Sequence, residues 1–116
     1  MTELITIIRR NKTAATQQEL ARIGCAGYNR LPVLGRGRQR GLTSNGGQNG
    51  MTLLPKTMFS VIVEDAQAQE AIEAIIRANQ TGDFGDGKIF VIEIGETYRV
   101  ATGEVHDETR QSHHPA

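Results

Sequence analysis

Arginine and glycine alternate between residues 35 and 41, where the chain reads Gly-Arg-Gly-Arg-Gln-Arg-Gly. Guanidinium groups suit phosphates and carboxylates, and glycines without a Cβ atom let the backbone approach a ligand closely. The segment is not a Walker A loop, because no Gly-Lys-Ser/Thr follows it, and it lacks the spacing of a dinucleotide-binding loop. It therefore indicates an anion site, with a solvated Arg/Gly linker as the alternative.

A second glycine-rich segment, residues 81–88, reads Thr-Gly-Asp-Phe-Gly-Asp-Gly-Lys. Successive backbone N–H groups of such a turn form a nest for anionic oxygens, and Lys88 adds a positive charge at the start of a strand. The alternative is a tight helix-to-strand loop whose glycines merely take positive φ.

The other reactive side chains do not suggest a catalytic site. His106, His113 and His114 fall in the polar C-terminal segment, where a histidine pair is more typical of a disordered end than of a metal site. Cys25 is expected to be a small buried residue. Ser44 has no neighbouring base that could activate it. We therefore expect no catalytic residue and no enzymatic activity.

Length and composition describe a single soluble domain. The chain has 116 residues, of which 38% are hydrophobic and 22% charged, and a net charge of zero. It contains no apolar run near the ~20 residues that a membrane helix needs. One cysteine cannot form an internal disulfide, and the N-terminus lacks the layout of a signal peptide, so we expect a cytoplasmic protein.

The zero net charge conceals a strong segregation of charge along the chain. Residues 20–63 carry six basic and no acidic residues, whereas residues 64–116 carry eleven acidic and four basic ones. A neutral total argues against nucleic-acid or membrane-surface binding, while a basic middle favours a local anion site. Chance clustering of charges is the alternative.

Hydrophobic patterning predicts the elements that must position these segments. Helices are predicted at residues 13–24 and 66–79, and strands at residues 3–9, 28–35, 57–63 and 88–94, with a short fifth strand at 97–101. Gly24 is a candidate helix C-cap, and Glu64 with Asp65 is a candidate acidic N-cap. Pro32 places the second strand at an edge or a bulge.

The order β-α-β-β-α-β predicts an α+β, ferredoxin-like fold, in which two helices cover one face of an antiparallel sheet. The other face is left bare, and we expect Phe59, Val61 and Val63 to contribute to it. We therefore expect this bare face to be covered by self-association of the chain. Residues 35–50, with six glycines, should form a long mobile loop, and residues 105–116 a frayed tail.

On this order of elements, the chain resembles the P-II nitrogen-regulatory signalling proteins. The resemblance covers about residues 2–104 and is carried by residues 35–41 with Leu54-Pro55-Lys56, by residues 81–91, and by Thr102-Gly103-Glu104. It implies a domain over residues 1–104 with a partner-binding T-loop at about 36–54, followed by a flexible tail. It also implies a cytoplasmic homotrimer, open to mixing with a paralogue, with ATP or ADP in each cleft between subunits.

The resemblance assigns roles to individual residues. Those matching the nucleotide site are Gly35, Gly37, Arg38, Gly85, Asp86, Gly87, Lys88 and Arg99. Gln39 matches the glutamine that helps to coordinate Mg²⁺, which together with ATP holds 2-oxoglutarate, and Lys56 matches the lysine that pairs with a carboxylate of that oxo-acid. Arg36, Arg40 and Leu42 lie in the T-loop and would contact the regulated protein.

Three features depart from the usual pattern of the family. Residues 43–52 contain no tyrosine, so regulation by uridylylation is not expected. Ala101 stands where a second phosphate-contacting arginine is usual, and the loop is about two residues shorter. With residues 33–37 and 54–58, these features resemble the branch encoded beside nitrogenase genes, which inhibits dinitrogenase by direct contact when 2-oxoglutarate is low.

Other functions remain open at this point. Within the family, the target could be an ammonium transporter or another metabolic enzyme. A remote alternative is an RNA-binding module, because Arg/Gly segments and ferredoxin-like sheets both occur in such proteins, but the aromatic RNA-recognition pattern is missing. A P-loop enzyme is disfavoured by the missing Gly-Lys-Ser/Thr and the lack of a candidate base.

Overall fold

A computed structural model describes residues 1–36 and 53–107. The predicted site residues Gly37, Arg38, Gln39, Arg40 and Leu42 lie outside the described residues, as do most of the predicted T-loop and the predicted tail beyond residue 107. The helices are α1 (Thr13–Arg22) and α2 (Ala68–Asn79). The strands are β1 (Thr2–Arg9), β2 (Tyr28–Gly35), β3 (Leu54–Val63), β4 (Gly87–Glu93), β5 (Glu96–Tyr98) and β6 (Val105–Asp107).

Four strands form one antiparallel sheet in the order β2-β3-β1-β4. This order, with a helix after β1 and another after β3, confirms the predicted ferredoxin-like fold. β1 pairs along its length with β3 on one side and with β4 on the other. Pro32 lies in β2, an edge strand of this sheet, as its missing N–H group requires.

The predicted assignment of sheet faces is wrong. Phe59, Val61 and Val63 are buried in one cluster with Leu20 of α1 and Ile75 of α2, so they face the helices. Successive residues of a strand point to opposite faces of the sheet. In β1 and β3 both alternating sets of residues are largely apolar, so the sequence did not distinguish the two faces. The apolar residues of the opposite, uncovered face are Ile5 and Ile7 of β1, Met58 and Ile62 of β3, and Phe90 and Ile92 of β4.

The ends of the helices differ in how well the sequence predicted them. Gly24 ends α1 at φ +78°, and the Cys25 N–H group donates to the Leu20 carbonyl oxygen at 2.8 Å, which confirms the predicted C-cap. The predicted acidic N-cap of α2 is wrong, because a 3-10 turn at Asp65–Gln67 precedes the helix. The Asp65 carboxylate instead accepts a 2.6 Å hydrogen bond from Thr2 Oγ1, which lowers the pKa of Asp65.

Several strand boundaries also differ from prediction, including that of β5, which was predicted at residues 97–101 and spans Glu96–Tyr98. β3 begins at Leu54, three residues early, because Leu54, Pro55 and Lys56 continue the pairing with the end of β2. Val105–Asp107, expected in the frayed tail, form β6 and pair with β5 in a separate two-stranded sheet. Within the described residues, no helix is long and apolar enough to cross a membrane.

Candidate functional site

The glycine-rich turn after α2 is organised around the carboxylate of Asp86. One oxygen, Oδ2, accepts from the backbone N–H groups of Thr81 at 2.6 Å and Gly82 at 2.8 Å. The other oxygen, Oδ1, accepts from the Thr81 hydroxyl and from Arg9 Nη1, the latter at 2.7 Å. These bonds, led by the one from the Thr81 hydroxyl, hold the pKa of Asp86 well below its usual range.

The turn therefore already contains an anion of its own. Two of the backbone N–H groups that the sequence offered to a ligand, those of Thr81 and Gly82, donate to Asp86. The residues that follow in the chain, Gly87 and Lys88, begin β4 and lie in register with Ile8 and Ile7 of β1. The carboxylate thus closes the turn and connects its beginning to the first residues of the strand.

One glycine of the turn is required by close approach to β1. Gly87 has a φ of +123°, and a Cβ atom there would lie 2.3 Å from the Ile7 carbonyl oxygen, so a side chain would push the turn away from β1. A Cβ atom at Gly85 would lie 2.8 Å from an Arg9 guanidinium nitrogen, so a side chain there would displace the end of the Arg9 side chain.

Arg9 is a site residue that the sequence did not identify. It is the last residue of β1, and its partner in the β1–β3 register is Lys56. Burial of the Lys56 side chain, and secondly the charge of Arg9, lower the pKa of Lys56. The available signal was the position of Arg9 in the strand, because alternation puts it on the same face as Ile5 and Ile7, but no prediction connected that face with the site.

Most of the described site residues lie around the C-terminal end of β1. Lys56 lies on the β3 side of this strand and Lys88 on the β4 side, and both share its uncovered face. A Cβ atom at Gly35 would lie 3.2 Å from Lys56 Cγ, so the base of the predicted T-loop also adjoins the cluster. Arg36 follows directly and is exposed. The described residues that meet here are Arg9, Gly35, Lys56, Gly85, Asp86, Gly87 and Lys88.

Arg99 is placed differently. It follows β5 in the small two-stranded sheet, its side chain is 74% exposed, and its guanidinium lies 3.9 Å from the Glu104 carboxylate. The hairpin containing it also holds Ala101, which is exposed. Among the described residues, the ionic partner of Arg99 is therefore Glu104 and not a residue of the glycine-rich turn.

The described residues among those considered for catalysis or metal binding do not form a second site, and Ser44, His113 and His114 lie outside the described residues. Cys25 is buried, which raises the pKa of its thiol, and it packs in the core as expected. His106 lies in β6. Among residues 1–36 and 53–107, no group of three or more His, Cys, Asp or Glu side chains is placed to hold a metal ion.

An open groove of about 440 Å³ lies beside the turn on the helix-facing side of β4. Its walls are apolar and come from Ile72 and Ile76 of α2 and from Ile89 and Val91 of β4, and its lining also includes residues 86–88. The turn thus separates two chemically different regions, an apolar groove towards the helices and a cluster of cations on the uncovered face. The second region is suited to bind a small anion such as a phosphate or a carboxylate.

Comparisons with known proteins give matches over most of the chain. The family model described as "Nitrogen regulatory protein P-II" matches residues 1–104. The chain is 41% identical over 106 residues to "Nitrogen regulatory protein P-II 2" of Methanothermobacter thermautotrophicus, an alignment that covers 90% of this chain and 92% of that protein. It is 37% identical over 116 residues to "Nitrogen fixation nifHD1 region GlnB-like protein 2" of Methanosarcina barkeri, covering 90% and 94%. It is 41% identical over 96 residues to "Nitrogen fixation nifHD region glnB-like protein 1" of Methanococcus maripaludis, covering 83% and 90%.

Proposed function

The chain belongs to the nitrogen regulatory protein P-II family, and from this membership we propose that it senses ATP or ADP together with 2-oxoglutarate and regulates a target protein by direct contact. It is a regulatory signalling protein and not an enzyme. The observation that carries the proposal is the cluster of Arg9, Lys56 and Lys88 around a glycine-rich turn at the end of β1.

The phosphates of the nucleotide are assigned to the turn at Gly85 and Gly87 and to Lys88. The missing side chain of Gly87 lets the turn pack directly against β1, which fixes the position of the turn, and Lys88 supplies a positive charge. Gly35, Gly37 and Arg38 would complete this site from the base of the T-loop. Arg99 is assigned to the cleft between subunits, where it would reach the phosphates bound by a neighbouring copy, because in its own subunit it pairs with Glu104.

2-Oxoglutarate is assigned to the neighbourhood of Lys56. This lysine is half-buried beside Arg9, whose charge is paired with Asp86, and its own positive charge favours a carboxylate of the oxo-acid. Gln39 would contribute an amide oxygen to Mg²⁺, a hard cation that accepts oxygen ligands from ATP and the oxo-acid as well. Bound Mg²⁺ would supply positive charge that offsets the charges of the phosphates and the oxo-acid.

The uncovered sheet face supports assembly into a homotrimer, either of this chain alone or mixed with a paralogue. Phe90 is 48% exposed and Ile92 43%, although both lie in a strand of the main sheet. Apolar strand residues of this kind are normally covered by another protein surface. Such an assembly would also bring the β5–β6 hairpin of one copy to the site of another.

Dinitrogenase is the target we favour, and the names of two relatives support it because both refer to the nifHD region. The contact is assigned to the T-loop, through Arg36, Arg40 and Leu42. An ammonium transporter is the second candidate, since other relatives bear only the general P-II name. The RNA-binding alternative loses support, because no aromatic residue of the central strands β1 and β3 lies on the uncovered face and Phe59 is buried.

Calorimetry tests the sensor function. We expect 2-oxoglutarate to bind only when Mg-ATP is present, and Gln39→Ala to abolish that binding while some ATP affinity remains. Binding of the oxo-acid without ATP, or no binding of ATP, would refute the proposal. Capture of dinitrogenase from an extract of nitrogen-fixing cells only when 2-oxoglutarate is absent would identify the target, and capture of a membrane transporter instead would favour the second candidate.

A further inference from the structure

We propose that Arg9 and Asp86 form a positioning pair, which fixes residues 81–86 in the shape that receives phosphate, and that Asp86 itself does not touch the ligand. The inference rests on the proposed function, because it takes the glycine-rich turn as the phosphate site. It changes the role that family resemblance assigned to Asp86, from a ligand contact to an internal support.

The acceptor capacity of Asp86 is already used. An ionised carboxylate has about four lone-pair positions and no hydrogen to donate. In the structure four donors occupy them, namely the backbone N–H groups of Thr81 and Gly82, the Thr81 hydroxyl and Arg9 Nη1. A nucleotide hydroxyl or a hydrated cation would therefore have to displace one of these donors before it could bind Asp86.

Arg9 connects this carboxylate to the centre of the sheet. Its side chain is 29% exposed and that of Asp86 19%, so the pair is shielded from water on most sides. The guanidinium also lies against Gly85, where a Cβ atom would be 2.8 Å away. Arg9 pairs with Lys56 of β3, and the residue before it, Ile8, pairs with Gly87 of β4, so the Arg9 backbone is a fixed point to which the turn is attached. The pair thereby links the segment after α2 to the ends of β1 and β4.

Arg9 also removes an electrostatic conflict. A free carboxylate beside a phosphate site would repel the ligand, and an ion pair at 2.7 Å offsets that charge. Replacing Arg9 should therefore weaken phosphate binding in two ways. It should loosen the turn, and it should leave the negative charge of Asp86 uncompensated near the ligand. Replacing Asp86 should loosen the turn alone.

Amide hydrogen exchange of the full-length, ligand-free protein tests the support of the turn directly. We expect the Thr81 and Gly82 amides to exchange at least about tenfold faster in Asp86→Asn and in Arg9→Met. Thr81→Val, which keeps Arg9 and Asp86 intact, should accelerate exchange at Gly82 and covers the case in which a charge variant fails to fold. The matched controls are Asp83→Asn in the same turn and Arg10→Met beside Arg9, both at exposed positions, and neither should change these rates.

Calorimetric titration with Mg-ATP tests whether the Arg9–Asp86 pair supports phosphate binding. Arg9→Met and Asp86→Asn should each weaken binding about tenfold or more, and the double variant should bind no worse than Arg9→Met alone. Unchanged exchange at Thr81 and Gly82 in both variants, or losses of affinity that multiply in the double variant, would overturn the positioning role. If the wild-type protein binds no ATP, the proposed function fails, whereas the exchange rates still decide whether the pair holds the turn.

Discussion

Gly87 packs against Ile7 so closely that a Cβ atom on Gly87 would lie 2.3 Å from the Ile7 carbonyl oxygen. The contact occurs at the first residue of β4, where the glycine-rich turn joins the sheet. It fixes the distance between the turn and β1, and with it the place of Lys88, the next residue. A phosphate site at this point depends on a glycine for reasons of space as well as of backbone conformation.

Gly87→Ala should be strongly destabilising. The new methyl group would clash with backbone atoms of β1 and would also stand at φ +123°, so we expect a loss of about 2–4 kcal/mol in the free energy of unfolding. Urea denaturation measures this loss. Gly82→Ala is the control, because Gly82 has φ +95° but a methyl group there would have no neighbouring atom within 4 Å, and it should lose only about 1 kcal/mol. Equal losses in both variants would contradict the close contact.

Phe59→Ala should reveal which face of the sheet packs on the helices. Phe59 is fully buried in the cluster that includes Leu20 and Ile75, so its truncation should cost about 3–5 kcal/mol. Phe90→Ala is the matched control, since Phe90 is 48% exposed on the other face. Thermal and urea unfolding at low protein concentration should show a much smaller loss for Phe90→Ala in the isolated subunit. A reversed order of stability would mean that the faces are assigned incorrectly.

The fold was accessible from sequence because its signals are local. Apolar runs separated by amphipathic segments gave the order of elements, and Gly24 and Pro32 marked a helix end and an edge strand. The face of each strand that packs on the helices could not be predicted, because Ile5, Ile7 and Ile8 place apolar side chains on both faces of β1. Which face is covered depends on helix packing over long range, and no local pattern encodes it.

The candidate site likewise contains some residues that the sequence predicted and others that it did not. The two glycine-rich segments and Lys56 were found from residue types and family resemblance, since their composition is unusual. Arg9 was missed because an arginine at the end of a strand is ordinary, and its importance comes from a partner 77 residues away. Asp86 was identified as a site residue, but its internal hydrogen bonds follow from the folded turn and have no signature in the sequence.

Ile92→Glu should disrupt self-association. Ile92 lies on the uncovered face of β4 and is 43% exposed, and a carboxylate buried in an apolar interface is strongly unfavourable. Ile76→Glu on α2 is the control, with 42% exposure on the helical side of the domain. Analytical ultracentrifugation should show a trimer for wild type and Ile76→Glu, and smaller species for Ile92→Glu. Loss of the trimer in Ile76→Glu alone would place the interface on the helices.

The contribution of Asp86 to stability should depend on pH. Its pKa is lowered in the folded protein from an ordinary value of 3.8, so the stabilisation is complete above that value and is lost as the pH falls below it. We therefore expect wild type to be more stable than Asp86→Asn at pH 6, and the difference to shrink steadily between about pH 4 and pH 2. Urea unfolding across this range measures it, with Asp83→Asn as the control. A difference that is independent of pH would show that the charge of Asp86 is not the stabilising feature.

Lys56→Met should separate the two ligands of the proposed sensor. Lys56 lies beside Arg9 but is not one of the four donors to Asp86, so its loss should leave Asp86 and the phosphate-binding backbone in place. A charge-assisted bond to a carboxylate contributes about 1.5–3 kcal/mol, so 2-oxoglutarate should bind at least about tenfold more weakly in the presence of Mg-ATP. ATP affinity should fall by much less, and both affinities should be unchanged in Lys12→Met, a lysine in the 3-10 turn before α1. Calorimetry with each ligand provides both values. If ATP and 2-oxoglutarate lose affinity equally, Lys56 belongs to the phosphate site and the oxo-acid must be held elsewhere.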